Sequence, residues 1–222
     1  MKTRTGSRWV YYLLGLAIFL FFLFNALEKV AYDGEYYRDF QRDNGISERT
    51  GRTLEELDQV SGDIILYLQE GTEELMTRNF ADREVLHMKD VFQLFELERL
   101  VKLVSLILIA LLLAGAFLRG EAEQAELVGR RMLTLLFVFL LLLAIAGFFF
   151  WNRIFTLLHQ IFFNNDLWIL DPDTDLMIQM MPAPFFMGMA LRILIKTVVD
   201  IIVFMILLHL AVGLQKQLAY RQ

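Results

Sequence analysis

Residues Trp151 to Phe186 read WNRIFTLLHQIFFNNDLWILDPDTDLMIQMMPAPFF, and the stretch lies between two long apolar runs. It holds His159, one of the chain's three histidines, and all three prolines, Pro172, Pro182 and Pro184. Each proline fixes its own φ and pushes the preceding residue toward extended backbone, so this is no floppy connector. Its aromatic side chains suit a bilayer surface. The acidic group Asp166, Asp171, Asp173 and Asp175 needs water. The stretch reads as an ordered re-entrant or surface loop that holds a site at the membrane–water boundary.

The flanking runs decide the class. The chain has 222 residues, 57% of them hydrophobic, with a mean hydropathy of +0.49, above the usual range of a soluble domain. Four stretches are long and apolar enough to cross a bilayer as helices, which takes about 20 residues each. They run roughly over residues 9–27, 100–118, 132–151 and 187–214. Four spans cannot close a barrel, so the expected fold is all-α: a single membrane domain over residues 1–222, with two loops, 28–99 and 152–186, forming an ordered extracytoplasmic cap. The run from Trp9 to Leu27 is too long for a signal-peptide core and lacks a small-residue cleavage site, so it reads as a retained first span.

Orientation follows from basic residues beside the spans. Lys2, Arg4 and Arg8 precede the first, Arg119, Arg130 and Arg131 flank the short connection between the second and third, and Lys216 and Arg221 follow the fourth. Both termini and that connection are thereby assigned to the cytoplasm. The net charge of −5 carries no nucleic-acid signal. The absence of cysteine excludes disulfides, thiolate metal sites and a cysteine nucleophile.

Within the first loop, Thr53-Leu54-Glu55-Glu56 is a capping box. Leu54, Leu57, Ile64, Ile65 and Leu68 follow at helical spacing, which predicts an amphipathic helix over 54–69 stopped by Gly71. A second helix is expected to start with Asp82 as N-cap and to run through His87 into the second span.

Topology sorts the histidines. His209 falls near the inner end of the fourth span and reads as a packing or snorkelling residue. His87 and His159 fall on the same outer side at similar depth. If the chain stays helical after the third span, His159 shares a face with Phe155, Phe162 and Phe163. His87 shares one with Val91, Leu94 and Phe95, with Asp90 a turn away. Two unrelated surface histidines and a lipid-facing aromatic belt are the plain alternatives. No serine lies in a nucleophile-elbow pattern or beside a histidine. A zinc site of His87, His159, Asp90 and Asp166 is open on ligand type, but HExxH is missing. Arg192, Lys196 and Asp200 recur every fourth residue in the last span. Lys196 and Asp200 either pair or meet substrate, and Arg192 reaches a carbonyl, a carboxylate or a headgroup, or snorkels.

Two stretches carry a resemblance. Phe80-Ala81-Asp82-Arg83-Glu84-Val85-Leu86-His87-Met88-Lys89-Asp90-Val91 is the first. His159-Gln160-Ile161-Phe162-Phe163, running into Asp166-Leu167-Trp168, Asp171-Pro172-Asp173-Thr174-Asp175 and Pro182-Ala183-Pro184-Phe185-Phe186, is the second. Together they resemble the signature stretches of the bacterial lipoprotein intramolecular transacylases. The resemblance extends over the whole chain. It implies transfer of the sn-2 acyl chain of a lipoprotein's diacylglyceryl cysteine to the cysteine α-amino group, leaving a lyso-form lipoprotein, in the bacterial cell membrane with the site extracytoplasmic. By motif it assigns His87 and His159 as catalytic. Asp90, Phe155, Phe162, Phe163, Asp166, Trp168, Asp171 and Arg192 are the candidate substrate contacts. The expected partners are the diacylated lipoprotein and membrane lipid, with no cofactor, no metal and no nucleic acid; oligomeric state is left open.

Such a reaction suits this inventory. Amine and ester belong to one molecule, so no enzyme nucleophile is needed. Holding them in register supplies about 7–11 kcal/mol, and general acid–base help adds roughly 10²–10⁴-fold. An α-amino group of pKa about 7.7–8.0 needs a base at neutral pH. Either histidine can be that base. A metal-dependent membrane hydrolase and a non-enzymatic lipid-binding subunit are the competing readings.

Overall fold

Apolar runs of this length in a chain without strand-like alternation fold as helices, and in the computed structural model helices are the only regular elements among the described residues. It describes residues 6–220, with side chains from Trp9 to Leu218. Lys2, Arg4 and Arg221, used above for orientation, lie outside the described residues, as does the side chain of Arg8. In chain order the helices are α1 (Gly6–Ala31), α2 (Gly34–Asp43), α3 (Ile46–Thr50), α4 (Leu54–Glu70), α5 (Glu74–Thr77), α6 (Asp82–Leu118), α7 (Ala122–Phe162), α8 (Leu176–Met180) and α9 (Ala183–Tyr220). Among the described residues, α1, α6, α7 and α9 are long and apolar enough to cross a membrane. They contain the four expected spans.

Local chemistry fixes the ends. The expected capping box forms: Thr53 accepts from the Glu56 backbone N–H, and Glu56 accepts from the Thr53 N–H. Gly71, at φ 75°, closes α4 in the left-handed region that glycine adopts without Cβ strain. α6 differs from expectation by one residue. Asp82 is its first helical residue rather than its cap. The Ala81 N–H is instead satisfied by Glu84, which reaches back from three residues on. α7 continues past the third apolar run because the break at Phe150 (φ −130°, ψ 33°) bends the helix without ending it. Residues 151–162 are therefore helical. α9 starts with Pro184 in its first turn, where its missing N–H costs nothing.

Contacts divide the chain into two compact units. The first comprises Met1–Leu27, Arg99–Ile145 and Ile193–Gln222. Its core is built on Tyr11, Leu14, Ile18, Ile109, Leu133 and Ile201. Leu111, Leu135 and Leu207 point outward, as suits a surface solvated by lipid. Several of its ionisable groups pair. Tyr11 donates to Glu121 at 2.6 Å, Lys196 lies 3.0 Å from Asp200, and the buried Glu126 carboxylate meets Arg130 and His209. His209 thus has a carboxylate partner rather than only an apolar setting.

The second unit comprises Glu28–Glu98 and Ala146–Arg192. Its core gathers Leu57, Val60, Ile64, Met76, Met88, Met177, Met180 and Phe185. Phe185 is 1% exposed, caged by the rings of Tyr36, Tyr37 and Phe40 at 5.0, 4.9 and 5.2 Å. The Tyr36 hydroxyl donates to the Phe185 carbonyl at 2.6 Å, and the buried pair Gln41–Ser61 is joined at 2.8 Å.

Close packing in the first unit depends on Gly15. A Cβ there would stand 2.7 Å from Met132 Cβ and 3.0 Å from the Gly129 carbonyl oxygen. A branched side chain must therefore push α1 from α7. Gly15→Val is expected to lower the thermal unfolding midpoint in detergent, with overpacking costing about 1–3 kcal/mol. Gly62, inside α4, has open space around it, so Gly62→Ala should leave the midpoint unchanged or raise it, with a gain in stability of up to about 1 kcal/mol.

Candidate active site

Two helices of the second unit bring the outer histidines together. His87 lies near the start of α6, before the apolar stretch that begins near Leu100. His159 lies on the helical extension of α7, beyond the apolar stretch that ends near Trp151. Their ring centroids are 6.1 Å apart. Phe163 packs against both, 5.1 Å from His87 and 5.6 Å from His159. Phe155 stacks on His159 at 4.2 Å and Trp168 approaches its ring at 4.9 Å. Phe186 supports Phe155 at 5.7 Å. The result is two imidazoles within an aromatic wall.

Their protonation follows from that wall. His87 is 8% exposed. Burial above all, and then the neighbouring His159, push its pKa down to about 4, partly opposed by Asp90. His159 is also lowered by burial, partly opposed by the Phe155 carbonyl. Both rings are neutral at pH 7. His159 Nδ1 lies 2.7 Å from the Phe155 carbonyl oxygen. A carbonyl only accepts, so Nδ1 carries the proton and the neutral ring keeps its lone pair on Nε2. His87 Nδ1 is buried without a hydrogen-bond partner among the described residues. A buried polar atom left so is costly, and an incoming polar group would satisfy it.

Of the other sequence-predicted residues, Asp90 borders the pair through Asn165, whose amide donates to its carboxylate at 2.8 Å. Asp166 contributes its backbone, its carbonyl accepting from Arg83. Phe162 is 55% exposed, unlike Phe163 beside it. Asp171 is engaged by its own loop, accepting from the Asp173 N–H at 2.9 Å while its N–H donates to Asp175 at 2.7 Å. Arg192 stands over the Tyr36 ring at 4.4 Å and 3.6 Å from Asp33. Among the described residues no three His, Cys, Asp or Glu side chains gather at one point to share an ion.

Sequence reasoning missed Glu84, Asn165 and Tyr36. Glu84 was hidden by the one-residue error at the start of α6: with Ala81 as cap, Glu84 occupies the third helical position, where a glutamate reaches back. Asn165 and Tyr36 act across 75 and 149 residues of chain, and no local pattern marks them.

Fold and site together define a multi-pass all-α membrane protein carrying a histidine pair, one ring buried and the other half-buried. A family model described as lipoprotein intramolecular transacylase Lit matches residues 12–186. The chain belongs to that family and is an acyltransferase. Membership sets aside the metal-dependent hydrolase and the non-enzymatic subunit. No curated protein matches the chain. Its fold is similar to the in meso structure of the membrane-integral lipoprotein intramolecular transacylase Lit from Bacillus cereus, at 20% identity and a TM-score of 0.83, covering 97% of this chain and 100% of that one. Two structures of that protein with a histidine replaced, by arginine or by alanine, match with TM-scores of 0.77 at the same identity. They cover 98% of this chain and 95% and 96% of theirs.

The buried neutral state of His87 has a signature in stability. In the unfolded chain an imidazole titrates near 6.5, in the folded chain His87 near 4. Between these values the unfolded state binds the extra proton, so stability present above about pH 6.5 is lost as pH falls, by at most about 1.4 kcal/mol per unit. Unfolding in detergent from about pH 7.5 down to 4.5 should therefore show a steeper acid loss for the protein than for His87→Phe. Equal slopes would show that the ring is not buried in its neutral form.

Proposed function

We propose that the chain transfers the sn-2 acyl group of a lipoprotein's diacylglyceryl cysteine to the cysteine α-amino group. The reading is carried by the hydrogen bond from His159 Nδ1 to the Phe155 carbonyl, because it leaves Nε2 of a neutral ring free as a base. The substrate's ammonium, of pKa about 7.7–8.0, gives its proton to that nitrogen. The freed amine attacks the ester carbonyl. The imidazolium passes that first proton to solvent; as the C–N bond forms, Nε2 takes the second proton that the attacking nitrogen sheds, and as the C–O bond to glycerol breaks it gives this proton to the departing glycerol oxygen, so each turnover releases one proton. No water is consumed and no oxidation state changes. Throughout, Nδ1–H stays on the carbonyl, which stabilises the transient positive ring.

His87 serves differently. Held neutral, it donates an N–H to the oxygen that becomes negative in the tetrahedral intermediate, the geometry-dependent stabilisation typical of acyl transfer. Asp90 attracts the ammonium. Phe155, Phe163 and the more exposed Phe162 guide the acyl chain, Trp168 sits at the bilayer surface, and Arg192, with Asp166 and Asp171, meets the polar headgroup region. The acyl chain leaves lipid for an aromatic wall, so it gains little of the usual 0.8 kcal/mol per CH₂, and the wall aligns more than it binds.

The basic residues Arg119, Arg130, Arg131 and Lys216 support cytoplasmic termini and an extracytoplasmic site, in a cap made of the loops 28–99 and 152–186 of a single membrane domain. The substrate is then the diacylated lipoprotein in the outer leaflet of the bacterial cell membrane.

Mass spectrometry of a lipoprotein N-terminus from cells expressing each variant tests the reading. His159→Gln should lower lyso-form production by roughly 10²–10⁴-fold. His87→Gln should lose about 10²–10³-fold, as removal of an oxyanion donor does. Phe162→Ala should fall only a few-fold. Full lyso-form production without both histidines would end the proposal.

A further inference from the structure

Glu84 lies one turn before His87 on α6 and is 2% exposed. One carboxylate oxygen accepts the Ala81 N–H at 2.8 Å and the other accepts the Met177 N–H at 2.7 Å. A single buried side chain thus joins the start of α6 to the start of α8. The chain between Phe163 and Met177 contains Trp168. Two further bonds tie that segment to the same part of α6, from Arg83 to the Asp166 carbonyl and from Asn165 to Asp90. The three anchors on α6, residues 83, 84 and 90, bracket His87. Internal bonds stiffen the segment itself, among them Ile169 N–H to Asp166 and Asp175 N–H to Asp171.

We propose that Glu84 is a positioning residue for acyl transfer: its carboxylate pins the 163–177 strap to α6 and thereby holds Trp168 and Phe163 on the two imidazoles. It touches neither ring and acts through the strap. The proposal rests on the acyl-transfer reading for its consequence in turnover but not for its structural claim. Glutamine tests it sharply. A carboxylate presents an acceptor to each N–H, whereas an amide presents one acceptor and one donor. Glu84→Gln therefore keeps the size of the side chain and must release either Ala81 or Met177.

Trp168 reports on the strap without any lipoprotein. A protonated imidazole in contact with an indole quenches its emission, so Trp168 emission follows the charge of His159. The groups nearest that ring are His87, the Phe155 carbonyl and the three aromatic side chains already described. The signal is read as the difference between each full-length protein and its Trp168→Phe counterpart, in detergent. With the strap in place, emission should fall on acidification with a midpoint below 6.5, because burial lowers His159. In Glu84→Gln the midpoint should move back toward 6.5 and the amplitude should shrink. Turnover of a synthetic diacylated lipopeptide should fall between roughly 10- and 100-fold in kcat, the scale of a small misplacement of catalytic groups, with KM changing far less.

A folded Glu84→Gln protein with unchanged midpoint and amplitude overturns the proposal. If that variant does not fold, Asn165→Leu decides, since Asn165 is exposed and its loss spares the core: a smaller shift in the same direction supports the strap, and an unchanged signal overturns it. A shifted Trp168 signal in a protein that makes no lyso-form even with its native residues would leave the strap standing and the acyl-transfer reading fallen.

Discussion

The site depends on one hydrogen bond within a helix, from His159 Nδ1–H to the carbonyl of Phe155 four residues earlier. A histidine on a helix can reach that carbonyl only while the backbone stays helical. The bond therefore requires α7 to continue beyond its apolar stretch. The bend at Phe150 permits this, carrying residues 151–162 onward as helix instead of releasing them as loop. A helix ended at Trp151 would leave His159 on irregular chain with no fixed tautomer and no fixed side toward His87. The bend, the extension and the bond form one device. It delivers a neutral imidazole with its lone pair on the outer nitrogen.

The second half of the site is a burial problem. His87 is enclosed, and a charged imidazole there would be expensive. Burial against an aromatic ring and a second imidazole close by keep it neutral, and Asp90, engaged by Asn165, opposes them only in part. Two histidines in a similar wall thus differ in their hydrogen bonds. One has its proton placed by a backbone carbonyl. The other has a buried Nδ1 with no hydrogen-bond partner among the described residues, which an incoming polar group would satisfy. An intramolecular transfer asks for no enzyme nucleophile, which is in keeping with a chain that has neither cysteine nor a serine beside a histidine.

Much of this was legible in the sequence. The four spans stand out because lipid demands about 20 apolar residues in a row. α4 stands out because Thr53 and Glu56 spell its cap and Gly71 its end. The pairing of His87 with His159 followed from counting which side of the membrane each would reach. What stayed hidden was long-range or short. α3, α5 and α8 are too brief for periodicity to mark and pack into the core around Phe185; α2 does carry Tyr36, Tyr37 and Phe40 at helical spacing, a signal that went unread. Placing the cap of α6 one residue late concealed Glu84. Asp171 drew attention as one of a charged group, yet its carboxylate closes its own turn. Arg192 could be placed near a boundary, but its seat on the Tyr36 ring rests on a contact between distant parts of the chain.

The tautomer of His159 decides whether Nε2 is a free base, and nitrogen NMR reads it directly. In protein labelled with ¹⁵N at histidine and held in detergent at neutral pH, the two ring nitrogens of a neutral imidazole resonate far apart according to which carries the proton. His159 is expected to show a protonated Nδ1 and an unprotonated Nε2, unchanged on replacing His87. A proton on Nε2, or a ring charged at neutral pH, would contradict that assignment.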